Sequence, residues 1–216
     1  PSSIADLNNQ NTRLYGVYLQ DQWKAIDKLT INYGARFDEA RSRFPLFRGS
    51  EFASANDGGA YNQLSPRIGA VYELSKDTKF HLGYSKYFTP PPSELISSSK
   101  LAEFVGTSNE SENLINDKVR PERTNYYDIG VNHKLTKHIN IGLDGYYKDI
   151  KDLLDEGQFG SSLIFTPFNY QKAEVYGLEF SSDYNQDNLS AYFNFAWSDS
   201  KAKNVVSGQY LLGTDE

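Results

Sequence analysis

The chain has 216 residues, of which 38% are hydrophobic and 23% are charged, and its formal net charge is -6. A net negative charge argues against a nucleic-acid partner, because phosphate backbones are bound by clustered Lys and Arg. No run of about 18 apolar residues occurs, which excludes a transmembrane helix.

Cysteine is absent, so disulfides, thiol chemistry and Cys-based zinc sites are excluded. The three histidines, His81, His133 and His138, are scattered, and the chain has no nucleophile elbow, phosphate-cradling loop or His-Glu-x-x-His. We therefore predict no catalytic residues, no metal site, no cofactor and no enzymatic activity. The chain begins at Pro1 without a methionine, and we expect it to be a processed or excised piece of a longer protein.

Apolar and polar residues alternate along eight segments of the chain. In the fifth segment Tyr127, Ile129 and Val131 share one face, while Asp128 lies on the other. A period of two over about ten residues predicts a strand with one apolar and one polar face, and this length suits a tilted bilayer span. The predicted strands are Arg13–Trp23, Leu29–Asp38, Asn62–Leu74, Lys79–Phe88, Arg123–Leu135, Ile139–Lys151, Tyr170–Tyr184 and Leu189–Ala202.

Short and long connections alternate strictly between these strands. The three long connections are about Glu39–Tyr61, Thr89–Glu122 and Asp152–Asn169. Outer-membrane barrels have short periplasmic turns and long extracellular loops, because their strands run up and down through the membrane. The 16 tyrosines suit a bilayer interface, where the apolar ring contacts lipid and the hydroxyl group contacts water. We predict an all-β fold, an antiparallel up-and-down transmembrane β-barrel wall of about eight strands.

Most strand glycines fall on the polar side of the alternation, with Gly145 as the exception. Small residues mixed with charged and amide side chains suit a wide, wet lumen, or a wall against which another domain packs closely. Relief of barrel curvature is the alternative explanation. The polar-side glycines are Gly16, Gly34, Gly69, Gly83, Gly130, Gly142 and Gly177.

Five segments resemble, in order, the barrel of TonB-dependent outer-membrane receptors. Leu14–Asp38 carries the Gln-Asp-Gln-Trp step, and Leu64–Pro91 opens with Leu-Ser-Pro-Arg and ends in an aromatic-Pro loop. Val119–Gly130 is similar to the family's strand that starts with Lys-Pro-Glu. Tyr146–Leu154 and Ala173–Phe180 match two further recurring stretches. Each motif alone is weak, and the five together are specific.

The resemblance implies a bacterial outer-membrane receptor for energy-dependent uptake of a scarce small-molecule ligand, such as a siderophore-iron chelate. Its expected partners are outer-membrane lipid and a TonB-type energising complex that acts through an N-terminal part. The family barrel has about 22 strands, and the sequence lacks the family's plug and TonB box. The resemblance therefore implies a fragment of such a barrel, spanning residues 1–216.

Four arginines lie in or beside the long connections and are candidates for ligand binding. Arg43 and Arg48 fall in the first long connection, and Arg120 and Arg123 fall at the end of the second. They would attract an anionic iron chelate. Ordinary solvated loop cations are the alternative.

Four aromatic residues near strand ends are the remaining candidates. Tyr87 and Phe88 precede a run of three prolines and are candidates for stacking on a ligand. Trp23 and Trp197 lie on the apolar side, where membrane-interface anchoring is favoured over ligand stacking.

Two other protein classes remain open from the sequence. A small passive outer-membrane barrel or porin would pair the first strand with the eighth. A soluble lipocalin-like binding barrel would bury the apolar face. The residues that discriminate are Tyr15, Tyr33, Tyr72, Phe80, Ile141 and Phe193.

Overall fold

The computed structural model describes residues 11–43, 60–90, 120–158 and 165–206. These ranges form eight strands. They are β1 (Asn11–Ile26), β2 (Leu29–Arg43), β3 (Ala60–Glu73), β4 (Thr78–Thr89), β5 (Glu122–Lys134), β6 (Ile139–Gln158), β7 (Phe165–Gln186) and β8 (Leu189–Val206).

The strands form one sheet in sequence order, β1 to β8, and every neighbouring pair is antiparallel. The predicted all-β, up-and-down class is confirmed. Within the described ranges β1 pairs only with β2, and β8 only with β7. The sheet is therefore open there, without the pairing of first and last strands that a closed eight-stranded barrel requires.

Several strands continue further toward the long connections than the alternation predicts. We expected β6 to end near Lys151, but its pairing with β7 runs on to Gln158 opposite Phe165. Both faces carry polar residues in this stretch, so apolar and polar residues no longer alternate there. The ladder of backbone hydrogen bonds depends on the neighbouring strand and not on that pattern, and it persists.

The strands are staggered, as the register shows. We call a set of directly opposed residues across the sheet a rung. One rung runs from Trp23 on β1 through Leu178 on β7 to Trp197 on β8. Trp23 lies close to the end of β1 at Ile26, whereas Leu178 lies far from the end of β7 at Gln186. The distance between this rung and the short turns therefore grows from β1 to β8, as it does in a barrel whose strands are tilted relative to its axis.

The two faces of the sheet differ as the alternation predicts. On the apolar face, Val17 is 73% exposed, Leu19 81% and Ile129 64%. On the polar face, Gln63, Ser65 and Thr124 are buried. A soluble barrel would gather its apolar side chains into a dry interior, and the described residues do not do this. Of the discriminating residues, Ile141 is half-buried, and the exposed ones are Tyr15, Tyr33, Tyr72, Phe80 and Phe193.

Candidate ligand-facing surface of the sheet

Glycines on the polar face leave room for polar side chains that lie flat on the wall. Gly130 of β5 stands between His81 of β4 and Asp144 of β6 on one rung. The two flanking side chains meet over it, with His81 Nε2 2.8 Å from Asp144 Oδ1. A Cβ on Gly130 would collide with both. Glycine here lets two strands contact each other across a third.

The same arrangement recurs along the sheet. The Asp128 carboxylate lies over Gly83, its rung partner. The Tyr146 ring lies over Gly177, with its Cζ 2.7 Å from the place a Cβ would occupy. An aromatic ring covering a cross-strand glycine is a known way to fix register in curved sheets. Side chains that lie over these glycines therefore cover the polar face in a thin, closely packed layer.

A group of aromatic side chains occupies the polar face of β4 to β6, and we call Tyr87, Tyr126, Tyr146 and Lys148 the tyrosine cluster. The Tyr126 and Tyr146 rings stack at 6.3 Å, and Tyr87 meets Tyr126 edge-on at 6.0 Å. Lys148 Nζ lies 5.8 Å from the Tyr126 centroid and 5.6 Å from that of Tyr146. Tyr87 is 48% exposed. Aromatic faces beside a cation suit a flat, conjugated, anionic ligand group.

Tyr87 is held in place through its backbone. The side-chain amide of Gln63, buried on β3, donates from Nε2 to the Tyr87 carbonyl oxygen at 2.8 Å and to Ser65 Oγ at 3.0 Å. The cluster therefore stands on regular strand backbone rather than on a loop, which fixes its geometry.

The segment that leads into β5 is fastened to β6 and β7 by Asn169, which is 2% exposed. Its Oδ1 accepts from the Arg120 N–H at 2.7 Å, and its Nδ2 donates to the carbonyl oxygens of Arg120 at 3.0 Å and Asp152 at 2.8 Å. We call this set the asparagine clamp. Glu122 adds a further tie, because its carboxylate accepts from the Leu154 N–H at 3.2 Å. The clamp fixes where the second long connection returns to the sheet.

Asp152, part of the clamp, interrupts the regular geometry of β6. Its backbone is left-handed, with φ of 55°. Its buried carboxylate lies 3.5 Å from Arg120 Nη1. A non-glycine residue in this region is strained unless its surroundings hold it, and here Asn169 holds its carbonyl.

The structure places the four candidate arginines in different surroundings. Arg120 belongs to the asparagine clamp. Arg123 lies on the apolar face and donates from Nη2 to the Asn62 carbonyl oxygen at 3.3 Å. The Arg43 backbone ends β2, paired with Asn11. Arg48 lies outside the described residues.

The candidate aromatic residues divide between the faces. Tyr87 lies in the tyrosine cluster, whereas Phe88 lies on the apolar face, opposite Arg123. Trp23 and Trp197 are exposed on the apolar face, and Trp197 meets the Tyr176 ring edge-on at 6.0 Å.

Sequence reasoning missed most of the tyrosine cluster, and of the clamp it singled out only Arg120, as a ligand-binding candidate. The signal for the cluster was present in the two Tyr-Tyr pairs, 126–127 and 146–147. A period of two must turn one member of each pair to the polar face. Asn169 carried no comparable signal, because its partner Arg120 is 49 residues away.

Two kinds of feature are missing from the ranges that the structure describes. No three His, Asp or Glu side chains in those ranges are grouped to hold a metal ion. None of their segments is a helix long and apolar enough to cross a membrane.

Solved structures of two metal transporters and of one outer-membrane receptor share this fold. The FrpB iron transporter from Neisseria meningitidis (F3-3 variant) matches with a TM-score of 0.66 and 18% identity, over 97% of this chain and 29% of that chain. The copper transporter OprC matches at 0.64 and 20%, over 91% and 30%. The ferripyoverdine receptor of the outer membrane of Pseudomonas aeruginosa matches at 0.61 and 17%, over 93% and 24%. The chain thus spans 24% to 30% of the length of these three proteins.

Sequence comparison gives a family assignment. No curated protein sequence matches the chain. The family model described as "TonB dependent receptor-like, beta-barrel" matches residues 1–215, almost the whole chain. Together with the exposed apolar face, the staggered up-and-down strands and the structural matches, this shows that the chain belongs to the TonB-dependent receptor β-barrel family.

Proposed function

We propose that this chain is part of the wall of an outer-membrane receptor that takes up a scarce metal chelate, such as a ferric siderophore. Transport would be driven by a TonB-type energising complex acting through an N-terminal part of the full-length protein. The chain would bind and gate without catalysing a reaction. The apolar face would meet lipid, and the polar face would look into the lumen. The observation that carries this proposal is the sidedness of the sheet.

The two tryptophans support the membrane placement. Trp23 and Trp197 share one rung but lie on the first and last strands of the described sheet. With strands about 4.8 Å apart and tilted by about 40°, a rung climbs about 3 Å per strand, so the two indoles differ in depth by about 20 Å. Barrels of this kind have an apolar band about 25 Å tall between two aromatic girdles. Both indoles would then lie near opposite interfaces.

A row of tyrosines would rise obliquely, by about 9 Å over three strand steps, to the girdle on the side of the long connections. Tyr84, Tyr127, Tyr147 and Tyr176 occupy one rung on β4 to β7. The first three rings are in contact, with centroids 5.1 Å apart for Tyr84 and Tyr127 and 6.3 Å apart for Tyr127 and Tyr147. Beyond this rung the apolar face becomes charged, as expected outside the hydrocarbon layer.

The ligand class rests on the tyrosine cluster and on the structural relatives. Two of the relatives are described as an iron and a copper transporter, and a third was solved bound to ferripyoverdine. The tyrosine cluster offers stacked rings and one ammonium group near the long connections. Conjugated, anionic metal chelates match that chemistry. Arg43, Arg48 and Arg120, at or beyond the strand ends, would supply further positive charge.

The neighbouring tyrosine pairs give a matched test of this function. Replacing Tyr126 with Ala removes a polar-face ring, while Tyr127→Ala removes the adjacent ring from the apolar face. A stacked aromatic contact contributes about 0.5–1.5 kcal/mol, so we expect Tyr126→Ala in the full-length protein to weaken chelate binding about 2- to 10-fold. Tyr127→Ala should leave it unchanged. Affinity is measured by titrating the purified receptor with a panel of ferric chelates, and uptake by growth on each chelate as the sole iron source.

The Tyr146 and Tyr147 pair repeats the test on β6. Tyr146→Ala should weaken binding of the same chelate, and Tyr147→Ala should not. Equal effects of the two members of each pair, or no growth defect on any chelate after deletion of the gene, would contradict the proposal.

A further inference from the structure

Regular strand pairing is interrupted at one rung that crosses β6, β7 and β8. The pairing of β6 with β7 passes over Asp152 and Gln171, and the pairing of β7 with β8 passes over Gln171 and Asn204. We call these three residues the break rung. The register is the same on both sides of it, so none of the three strands carries the extra residue of a β-bulge. A line without regular backbone pairing therefore crosses three adjacent strands.

The backbone of the break rung is left-handed at both outer residues. Its φ angle is 55° at Asp152 and 57° at Asn204. Among the non-glycine residues of the described ranges, only Asp187 shares this conformation, and it lies in the short turn between β7 and β8. Asp and Asn adopt left-handed backbone more readily than other non-glycine residues. The residue types at these two positions therefore favour the interruption.

Beyond the break rung the sheet narrows to two strands. β6 and β7 stay paired over residues 153–158 and 165–170, a length of about 17 Å, and we call this part the ribbon. β5 stops pairing with β6 at Arg123, before the break rung is reached. The described part of β8 ends at Val206, opposite Asn169. A ribbon of two strands is less stable and more strongly twisted than a wide sheet.

Among the described residues, side chains rather than backbone pairs join the ribbon to the segment that leads into β5. Asn169 of the ribbon bonds the N–H and the carbonyl oxygen of Arg120. Glu122 accepts from the Leu154 N–H at 3.2 Å. The asparagine clamp thus holds the ribbon against β5 where the ladder of backbone hydrogen bonds has ended.

Side-chain amides also bridge the break rung itself. Asn169 Nδ2 donates to the Asp152 carbonyl oxygen at 2.8 Å, which links β7 to β6. Asn204 Nδ2 donates to Gln171 Oε1 at 2.8 Å, which links β8 to β7. The three strands therefore stay in register across a rung where the regular ladder is absent.

We propose that the break rung is a hinge on which the ribbon pivots, and that the asparagine clamp is the latch that holds the ribbon in its present position. Release of Asn169 would free the ribbon and the backbone of Arg120 together, so the two movements are coupled. Local opening occurs preferentially in such weakly tied segments. The hinge follows from the strand pairing alone, whereas the importance of Arg120 for a ligand rests on the proposed function.

Distances between spin labels, measured by pulsed electron paramagnetic resonance on the full-length protein in detergent, test the hinge. Labelled cysteines replace Ile129 on β5 and Asp155 on the ribbon, and both native side chains are exposed. Asn169→Ala removes three hydrogen bonds, so the population of a second Ile129–Asp155 distance should rise at least about tenfold. The control pair, Ile129 and Lys151, lies on one side of the break rung and should keep its distance distribution.

Two replacements of Asn204 distinguish a hinge from general loosening of the wall. Asn204→Gly and Asn204→Val both remove the bond to Gln171. Glycine adopts left-handed backbone freely, whereas a β-branched residue favours extended backbone, which would restore the ladder. In the Asn169→Ala background, Asn204→Gly should therefore leave the second distance in place, and Asn204→Val should reduce its population.

Three results would overturn the inference: an unchanged Ile129–Asp155 distance in Asn169→Ala, equal effects of glycine and valine at Asn204, or equal broadening of the control pair. The single Asn204 variants cover the case in which the double variants do not fold, because amides 153–158 should exchange hydrogen more slowly with valine than with glycine. Titration with ferric chelates is separate. Failure of the native protein to bind any chelate would contradict the proposed function alone.

Discussion

At the scale of single residues, glycine is needed on the polar face because atoms of neighbouring strands occupy the space that a Cβ would fill. Gly177→Ala would place a methyl group 2.5 Å from the Trp197 carbonyl oxygen, a backbone atom, and 2.7 Å from the Tyr146 ring. Overpacking of this kind typically costs about 1–3 kcal/mol, so we expect the free energy of unfolding to fall by that amount. Gly145→Ala is the control, because its Cβ would meet only ordinary contacts, the nearest 3.4 Å away at Leu178. Denaturant titration of the full-length protein in detergent measures both, and equal losses would contradict this explanation.

At the scale of elements, the asparagine clamp joins the lead-in of β5 to the middle of β6 and the start of β7. Asn169→Ala removes three hydrogen bonds, two to the half-buried backbone N–H and carbonyl of Arg120 and one to the buried carbonyl of Asp152. Each unsatisfied buried group costs about 1–3 kcal/mol. We expect faster amide hydrogen exchange at residues 120–124 and lower stability. Asn194→Ala, at an exposed position on β8, should change stability by less than about 0.5 kcal/mol. Unchanged exchange near Arg120 would show that the clamp does not hold this segment.

Sequence reasoning succeeded at this scale where local patterning decides the structure. The alternation of Tyr127, Ile129 and Val131 with polar residues sets strand, face and register, because a slip of one residue would reverse the faces. It failed where contacts are remote. The contact of Tyr87 with Tyr126 depends on the register that β4 and β5 adopt across the second long connection. The contact of Arg120 with Asn169 joins residues 49 positions apart. No local signal encodes either one.

At the scale of the whole molecule, the sheet makes sense as a section of a larger wall. The described strands bury few apolar side chains, since Ala40, Ile150, Phe168 and Ala173 are the buried hydrophobic residues among them. A soluble domain relies on a dry core. Here the apolar face is exposed, and in the proposed wall lipid would take the place of a core. Both edge strands would pair with further strands of a full-length barrel, as exposed edges are not tolerated in lipid.

Sidedness is measured most directly by a cysteine scan of β6, since this chain has no native cysteine. Single cysteines in the full-length protein in vesicles replace Ile141, Leu143 and Tyr147 on the apolar face and Asn140, Asp144 and Lys148 on the polar face. Spin labels at the first three should be relaxed by oxygen dissolved in the bilayer, and those at the last three by a water-soluble nickel chelate. A period of two between lipid and water is the predicted result. Equal accessibility along β6, or apolar-face labels shielded from both reagents, would contradict the account.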